Sequence, residues 1–136
     1  MFEFGKIPNV DVDESLARFI VSKGEYRPAD MTVKPQAFLP YQHVELSVTR
    51  QRECADDELR IIAGRVADMR QKTLRGYCEI SACECRHLGL DVLPDPIEDW
   101  NPNHANIVGY PAQKEEQMVI AQKLARSASS VRVLDD

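Results

Sequence analysis

The feature that most constrains the fold is a stripe of apolar residues, Leu59, Ile62, Val66 and Met69, spaced three, four and three positions apart. That spacing returns each side chain to one face of an α-helix and predicts a helix from about Ala55 to Lys72. Asp56, Asp57 and Glu58 stand at its start and Arg70 and Lys72 at its end, the arrangement that the helix dipole favours. A helix with one apolar face has to bury that face against another element. The segment just before it supplies a candidate: in His43 to Arg50, Val44, Leu46 and Val48 alternate with Glu45, Ser47 and Thr49. This alternation predicts a strand with one buried face and the three polar residues turned outward.

The remaining elements are read from caps and turn residues. Asp13 as N-cap, Glu14 in the first turn, Leu16, Phe19 and Ile20 on one face and Gly24 as a stop predict an amino-terminal helix. Residues 25 to 42 contain Pro28, Pro35 and Pro40 and read as an extended connection. Gly76 precedes a short strand, Tyr77 to Ile80. Ser81 and Glu84 then carry the signature of a capping box, and a short helix follows. Leu88, Gly89 and Leu90 fit a glycine C-cap, after which Asp91 to Leu93 is extended. Residues 94 to 104 are rich in turn formers, Ala105 to Tyr110 reads as a strand, and Val131, Val133 and Leu134 as a final edge strand. Between them, Met118, Ala121, Leu124, Ala125 and Ala128 form a narrow apolar face on a helix from Lys114 to Ser127. The expected architecture is α+β: one domain over residues 1–136, with a small sheet of about three to four strands and helices packed mainly on one face.

Composition narrows the class. The 136 residues fall within the size of one domain, and 43% hydrophobic residues suffice for a core without staples. Seventeen basic against 22 acidic residues give a net charge of -5, which disfavours non-specific adhesion to nucleic acid or an anionic membrane. No helix shows the basic face of a groove reader. No apolar run approaches the roughly 20 residues of a membrane span, and Met1 to Val10 lacks the pattern of a signal peptide, so a cytoplasmic protein is expected. Cys54, Cys78, Cys83 and Cys85 read as reduced thiols, mostly small core residues.

Three groups of residues invite a functional reading. Cys78, Cys83, Cys85 and His87 include metal-ligating types, with Cys83 and His87 four apart. Cys83 and Cys85, however, lie about 200° apart on a helix, no paired C-x-x-C spacing occurs, and structural thiols are favoured over a metal site. The segment from Trp100 to Asn106 places His104 at a loop-to-strand junction, where imidazole can act as a general base with Asn103 or Asn106 orienting a ligand and Trp100 as a wall. Against this, the asparagines also suit turns, and no carboxylate is fixed beside His104 by spacing. Finally, Arg50 and Arg52 lie between a strand and the main helix, where guanidinium and backbone N–H groups can hold a phosphate or carboxylate. Glu53, Asp56, Asp57 and Glu58 follow at once and compete for those arginines. No nucleophile elbow, H-E-x-x-H pair, calcium loop or dinucleotide fingerprint is present, so no cofactor is expected.

Taken together, Ser47-Val48-Thr49-Arg50, Gly76-Tyr77-Cys78-Glu79-Ile80-Ser81, Leu88-Gly89-Leu90, Asn103 to Pro111 and the helical Ala121-Gln122-Lys123-Leu124-Ala125 resemble a family of small uncharacterised bacterial proteins. The resemblance implies one compact bacterial domain and brings no activity, cofactor or catalytic residue with it. Well-specified helices and caps without a catalytic constellation lead to the expectation of a non-enzymatic interaction protein, a homodimer or an accessory subunit with a protein partner. The alternative is a small enzyme or ligand-binding protein for a phosphorylated or carboxylated small molecule, using His104 with Arg50 or Arg52.

Overall fold

The computed structural model describes residues 1–40 and 44–134. Its centre is a five-stranded sheet in which every neighbouring pair is antiparallel. The elements are β1 (Ser15–Ile20), the hairpin β2 (Tyr26–Arg27) and β3 (Thr32–Val33), β4 (Leu46–Arg50), α1 (Asp56–Met69), β5 (Gly76–Ser81), α2 (Ala82–His87), β6 (Asp91–Pro94), β7 (His104–Val108) and α3 (Lys114–Ser127). The order across the sheet is β5-β1-β4-β7-β6, while β2 and β3 pair separately. The α+β class holds, with five strands in the main sheet where three or four were expected.

The amino-terminal helix does not form. Residues 15–20 make β1, which pairs with β5 on one side and β4 on the other. Five of its six residues are buried, because both faces of this strand are covered. The resulting apolar run, broken only by Arg18, loses the two-residue alternation and imitates a helical stripe. Glu14, expected in a first helical turn, is instead buried against Arg50.

The sheet is covered on both faces, by α2 and α3 on one and by α1 on the other. Leu16, Ile20, Leu46, Val48, Cys78, Ile80, Val92 and Ile107 share one face, with Ala82 and Cys85 of α2, Ala121 and Leu124 of α3, and Phe38 over them. The other face carries Ala17, Phe19 and Tyr77, against which α1 packs Leu59, Ile62 and Ala63. The proline-bearing connection is more ordered than an extended link, since it holds the β2–β3 hairpin and a 3-10 turn at Pro35–Phe38 that packs on α3. Residues 41 and 42 of that connection, and His43 at the start of the expected strand, lie outside the described residues. Val44 is exposed with a left-handed φ of 55°, so the strand begins only at Leu46.

Local signals in the second half are realised. The Ser81 hydroxyl accepts from the Glu84 N–H at the start of α2. At its end Gly89 takes a φ of 81°, with the Leu90 N–H donating to the Cys85 carbonyl and the Gly89 N–H to the Arg86 carbonyl. At α1 the Glu58 carboxylate reaches back to the Ala55 N–H. The closing segment pairs with β5 through the bridge of Tyr77 and Arg132, beside buried Val131, and at Glu79, whose carbonyl accepts from the Ser129 N–H and whose N–H donates to the Ser129 hydroxyl, both at 2.9 Å.

Arg50 is fully buried. Its guanidinium donates to both carboxylate oxygens of Glu14, to the Pro8 carbonyl at 2.7 Å and to the Asn9 carbonyl at 3.1 Å, with the Phe2 ring centroid 4.3 Å away. Removing one partner of a buried ion pair leaves the other desolvated and unpaired, at a cost of about 3–5 kcal/mol. Arg50→Ala is therefore expected to lose about that much in a urea unfolding curve. A loss below about 1 kcal/mol, the range of an exposed pair, would show that Glu14 finds solvent in the folded state.

Candidate functional site

The face covered by α1 is unevenly protected. Over β5 and β1 the sheet presents Tyr77, Ala17 and Phe19 to the helix. Over β4 and β7 the same face presents Thr49 opposite His104 and Ser47 opposite Asn106, a polar floor on which an apolar helix cannot settle. The segment 95–103 between β6 and β7 rises beside that floor. Between it and α1 lies a cleft of about 280 Å³, lined by Arg18, Phe19, Thr49, Val66, Met69, Arg70, Ile97, Trp100, Asn101 and His104 among others. Its size is at the small end of ligand pockets.

Each wall has a local cause. On α1, Ala63 and Ala67 are the buried residues next to Leu59 and Ile62, so the helix sits close to the sheet at that register. Val66 and Met69, expected at the buried stripe, turn toward the cleft, and Met69 is 67% exposed. On the opposite wall, Ile97 and Asn101 exchange backbone hydrogen bonds of 2.8 and 3.0 Å and close a tight turn, with Asp99 at a φ of 80°. Trp100 projects from that turn, and the Arg65 guanidinium of α1 stacks 4.7 Å from its ring centroid. The turn is anchored from below, where the Asn101 side-chain amide donates to the Thr49 hydroxyl at 3.2 Å. Thr49 is thereby buried rather than turned to solvent as its alternation suggested.

His104 opens β7, and its side chain is 12% exposed. Nδ1 stands 2.8 Å from the Asp95 carbonyl oxygen and 3.4 Å from an Asp95 carboxylate oxygen. A carbonyl only accepts, so Nδ1 carries the hydrogen, and in the neutral ring Nε2 is left as an acceptor. The Asn106 side chain donates to the same carboxylate at 2.9 Å, holding Asp95 in place. An imidazole whose far nitrogen is fixed by a carbonyl and a carboxylate is oriented to exchange a proton at the near one.

Of the residues singled out from the sequence, the structure brings His104 and Trp100 to the cleft, with Asn106 behind them on Asp95. Arg50, Arg52 and Asn103 lie elsewhere. Arg50 is enclosed by Glu14 and the amino-terminal segment, and Arg52 pairs with Asp11 at 2.8 Å on the surface. The Asn103 amide donates to the carbonyls of Arg50 and Arg52, both at 2.9 Å, and its oxygen accepts from the Phe2 N–H at 2.9 Å. Its polar atoms are all engaged in holding the fold. Asp95, Arg18 and Arg70 were not singled out. Nothing in the nine-residue separation of Asp95 and His104 announces their contact, whereas Arg18 left one trace, a lone charge inside an apolar run.

The thiols separate by burial. Cys83 is exposed, while Cys78 and Cys85 are buried, and burial pushes both thiols up to about 12. Among the described residues no group of three or more His, Cys, Asp or Glu is placed to hold a metal ion. No helix of the described residues is long and apolar enough to cross a membrane. Compared with protein families, curated proteins and solved structures, the chain matches none.

The raised thiols set a pH dependence. Above their ordinary value of 9.0 the unfolded chain releases these protons while the folded chain keeps them, so the unfolded state binds fewer protons and stability falls as pH rises from about 9 toward 12. Urea unfolding at a series of pH values should show this alkaline decline, and Cys78→Ala with Cys85→Ala should make it shallower, the remainder coming from Cys54 and Tyr110, which burial also pushes up. An equal slope in the double variant would assign the decline to those other groups alone.

Proposed function

We propose that the chain binds a small organic molecule in the cleft between α1 and the 95–103 segment, and that His104 exchanges a proton with it. The observation that carries this reading is the His104–Asp95 arrangement at the cleft. Asp95 fixes the ring through Nδ1, and the neutral tautomer leaves Nε2 without a hydrogen and ready to accept one. Phe19, Val66, Met69 and Trp100 add apolar surface beside the polar floor of Thr49 and Asn101, the mixture typical of small-molecule sites. A carboxylate beside a histidine also stabilises the imidazolium formed when the proton arrives. The reading supports a ligand-binding protein or small enzyme and replaces Arg50 and Arg52 as its companions.

A partner-binding role has less physical support. The open edge of the sheet is β6, a four-residue strand that begins at Asp91 and ends at Pro94. Short length, a charge and a proline are the features by which edge strands discourage pairing with another chain.

Trp100 is the single tryptophan of the sequence and lines the cleft, so its fluorescence reports occupancy directly. In a screen of small acids, amides and phosphate esters, compounds that raise the melting temperature are expected to change Trp100 emission. His104→Ala should weaken them by about two- to twelve-fold, the worth of one hydrogen bond. Stabilising compounds that leave Trp100 emission and His104→Ala affinity untouched would place the binding site elsewhere.

A further inference from the structure

The pairing of β1 with β4 runs through Leu16 with Arg50 and Ala17 with Thr49, and then stops. Beyond that point Arg18 fills the gap between the strands: Nε donates to the Ala37 carbonyl and Nη1 to the Ser47 carbonyl, both at 2.9 Å. Arg18 is 8% exposed, yet it lines the cleft. Its protein partners are neutral carbonyls. Among the described residues no carboxylate lies at ion-pair distance from it, and no acceptor engages Nη2. Contrast Arg50, fully buried, which has a carboxylate on two of its nitrogens.

Burial lowers the Arg18 pKa from its ordinary value, and the second cause in the same direction is the positive charge of Arg70, with Glu25 opposing from beyond ion-pair distance. Arg70 caps the carboxyl end of α1 and lines the same cleft. Two guanidinium groups, one largely buried, thus face one cavity in whose lining no carboxylate stands among the described residues. A largely buried guanidinium held by carbonyls alone has no counter-charge, and an oxyanion accepting from Nη2 and from Arg70 would supply one.

We propose that Arg18 and Arg70 form an oxyanion receptor in this cleft, and that the ligand is a small organic acid or phosphate ester whose apolar body lies along Val66, Met69 and Trp100. The inference rests on the cleft reading above and specifies its ligand. Arg18 grips the anion at the floor, Arg70 completes the grip at the solvent side, and Nε2 of His104 meets the polar end of the ligand from the opposite wall.

The test compares phenylacetate and phenyl phosphate with the neutral phenylacetamide, titrated into the protein at low salt and followed through Trp100 emission. At least one anion is expected to bind about tenfold or more tightly than the amide, with the preference shrinking as salt is raised. The better of the two anions identifies the carboxylate or the phosphate as the recognised group. Arg70→Gln changes an exposed side chain and should reduce the preference several-fold without touching the fold, while Arg18→Gln should abolish it. Equal binding of anions and amide would overturn the receptor and leave the cleft reading standing. Absence of any Trp100 response would overturn both. A preference that survives in Arg70→Gln and in folded Arg18→Gln would remove these arginines from the role.

Discussion

The buried ion pair of Arg50 and Glu14 is the interaction on which the geometry of the cleft depends. A guanidinium taken fully out of water is tolerable only when its donors are met, and here a carboxylate and two backbone carbonyls meet them. Those partners come from the segment preceding β1, so the pair holds the amino-terminal residues across the end of the sheet. The backbone of the same arginine holds Asn103: the Arg50 N–H donates to the Asn103 carbonyl at 2.8 Å and the Arg50 carbonyl accepts from the Asn103 side chain. Asn103 in turn binds the Phe2 N–H. One residue therefore joins the amino-terminal segment, β4 and the base of the 95–103 turn, and the position of Trp100 and His104 follows from where that turn is rooted.

The cleft itself results from a mismatch between a helix and the face it covers. α1 finds apolar partners over β1 and β5, and its alanines let it approach there. Over β4 and β7 the same face offers Ser47, Thr49, His104 and Asn106, which cannot be buried under a helix without hydrogen-bond partners. Thr49 obtains one from Asn101 and His104 from Asp95, both in the adjoining segment. The space left between helix and turn keeps Val66, Met69 and Trp100 on its walls and Arg18 at the split between β1 and β4.

Much of the local structure was legible because its causes are local. The helix of α1, the Ser81 cap, the Gly89 stop and the whole span of α3 depend on residues within a turn or two of each other, and each stands where the spacing placed it. The amino-terminal helix was misread for the opposite reason. Whether Leu16 to Ile20 is a strand is decided by cover on both of its faces, by α1 on one side and by α2 and α3 on the other, and those elements lie far along the chain. The strand count was low for the same reason, since β1 was taken out of the sheet.

The candidate site shows the same division more sharply. The sequence by itself determined that an imidazole and an indole stand close together at a loop-to-strand junction, because four positions separate Trp100 from His104. It also determined the chemical types available, including an arginine alone in an apolar run. Tertiary structure alone decided which arginine lines the same cleft as the histidine. Arg50 and Arg18 are both buried strand residues, and their sequences give no reason to prefer either. Their difference lies in the partner that folding brings to each among the described residues: the Glu14 carboxylate to Arg50, and backbone carbonyls to Arg18. Electrostatic pairing acts through space, and the sheet order that sets those distances belongs to the folded chain.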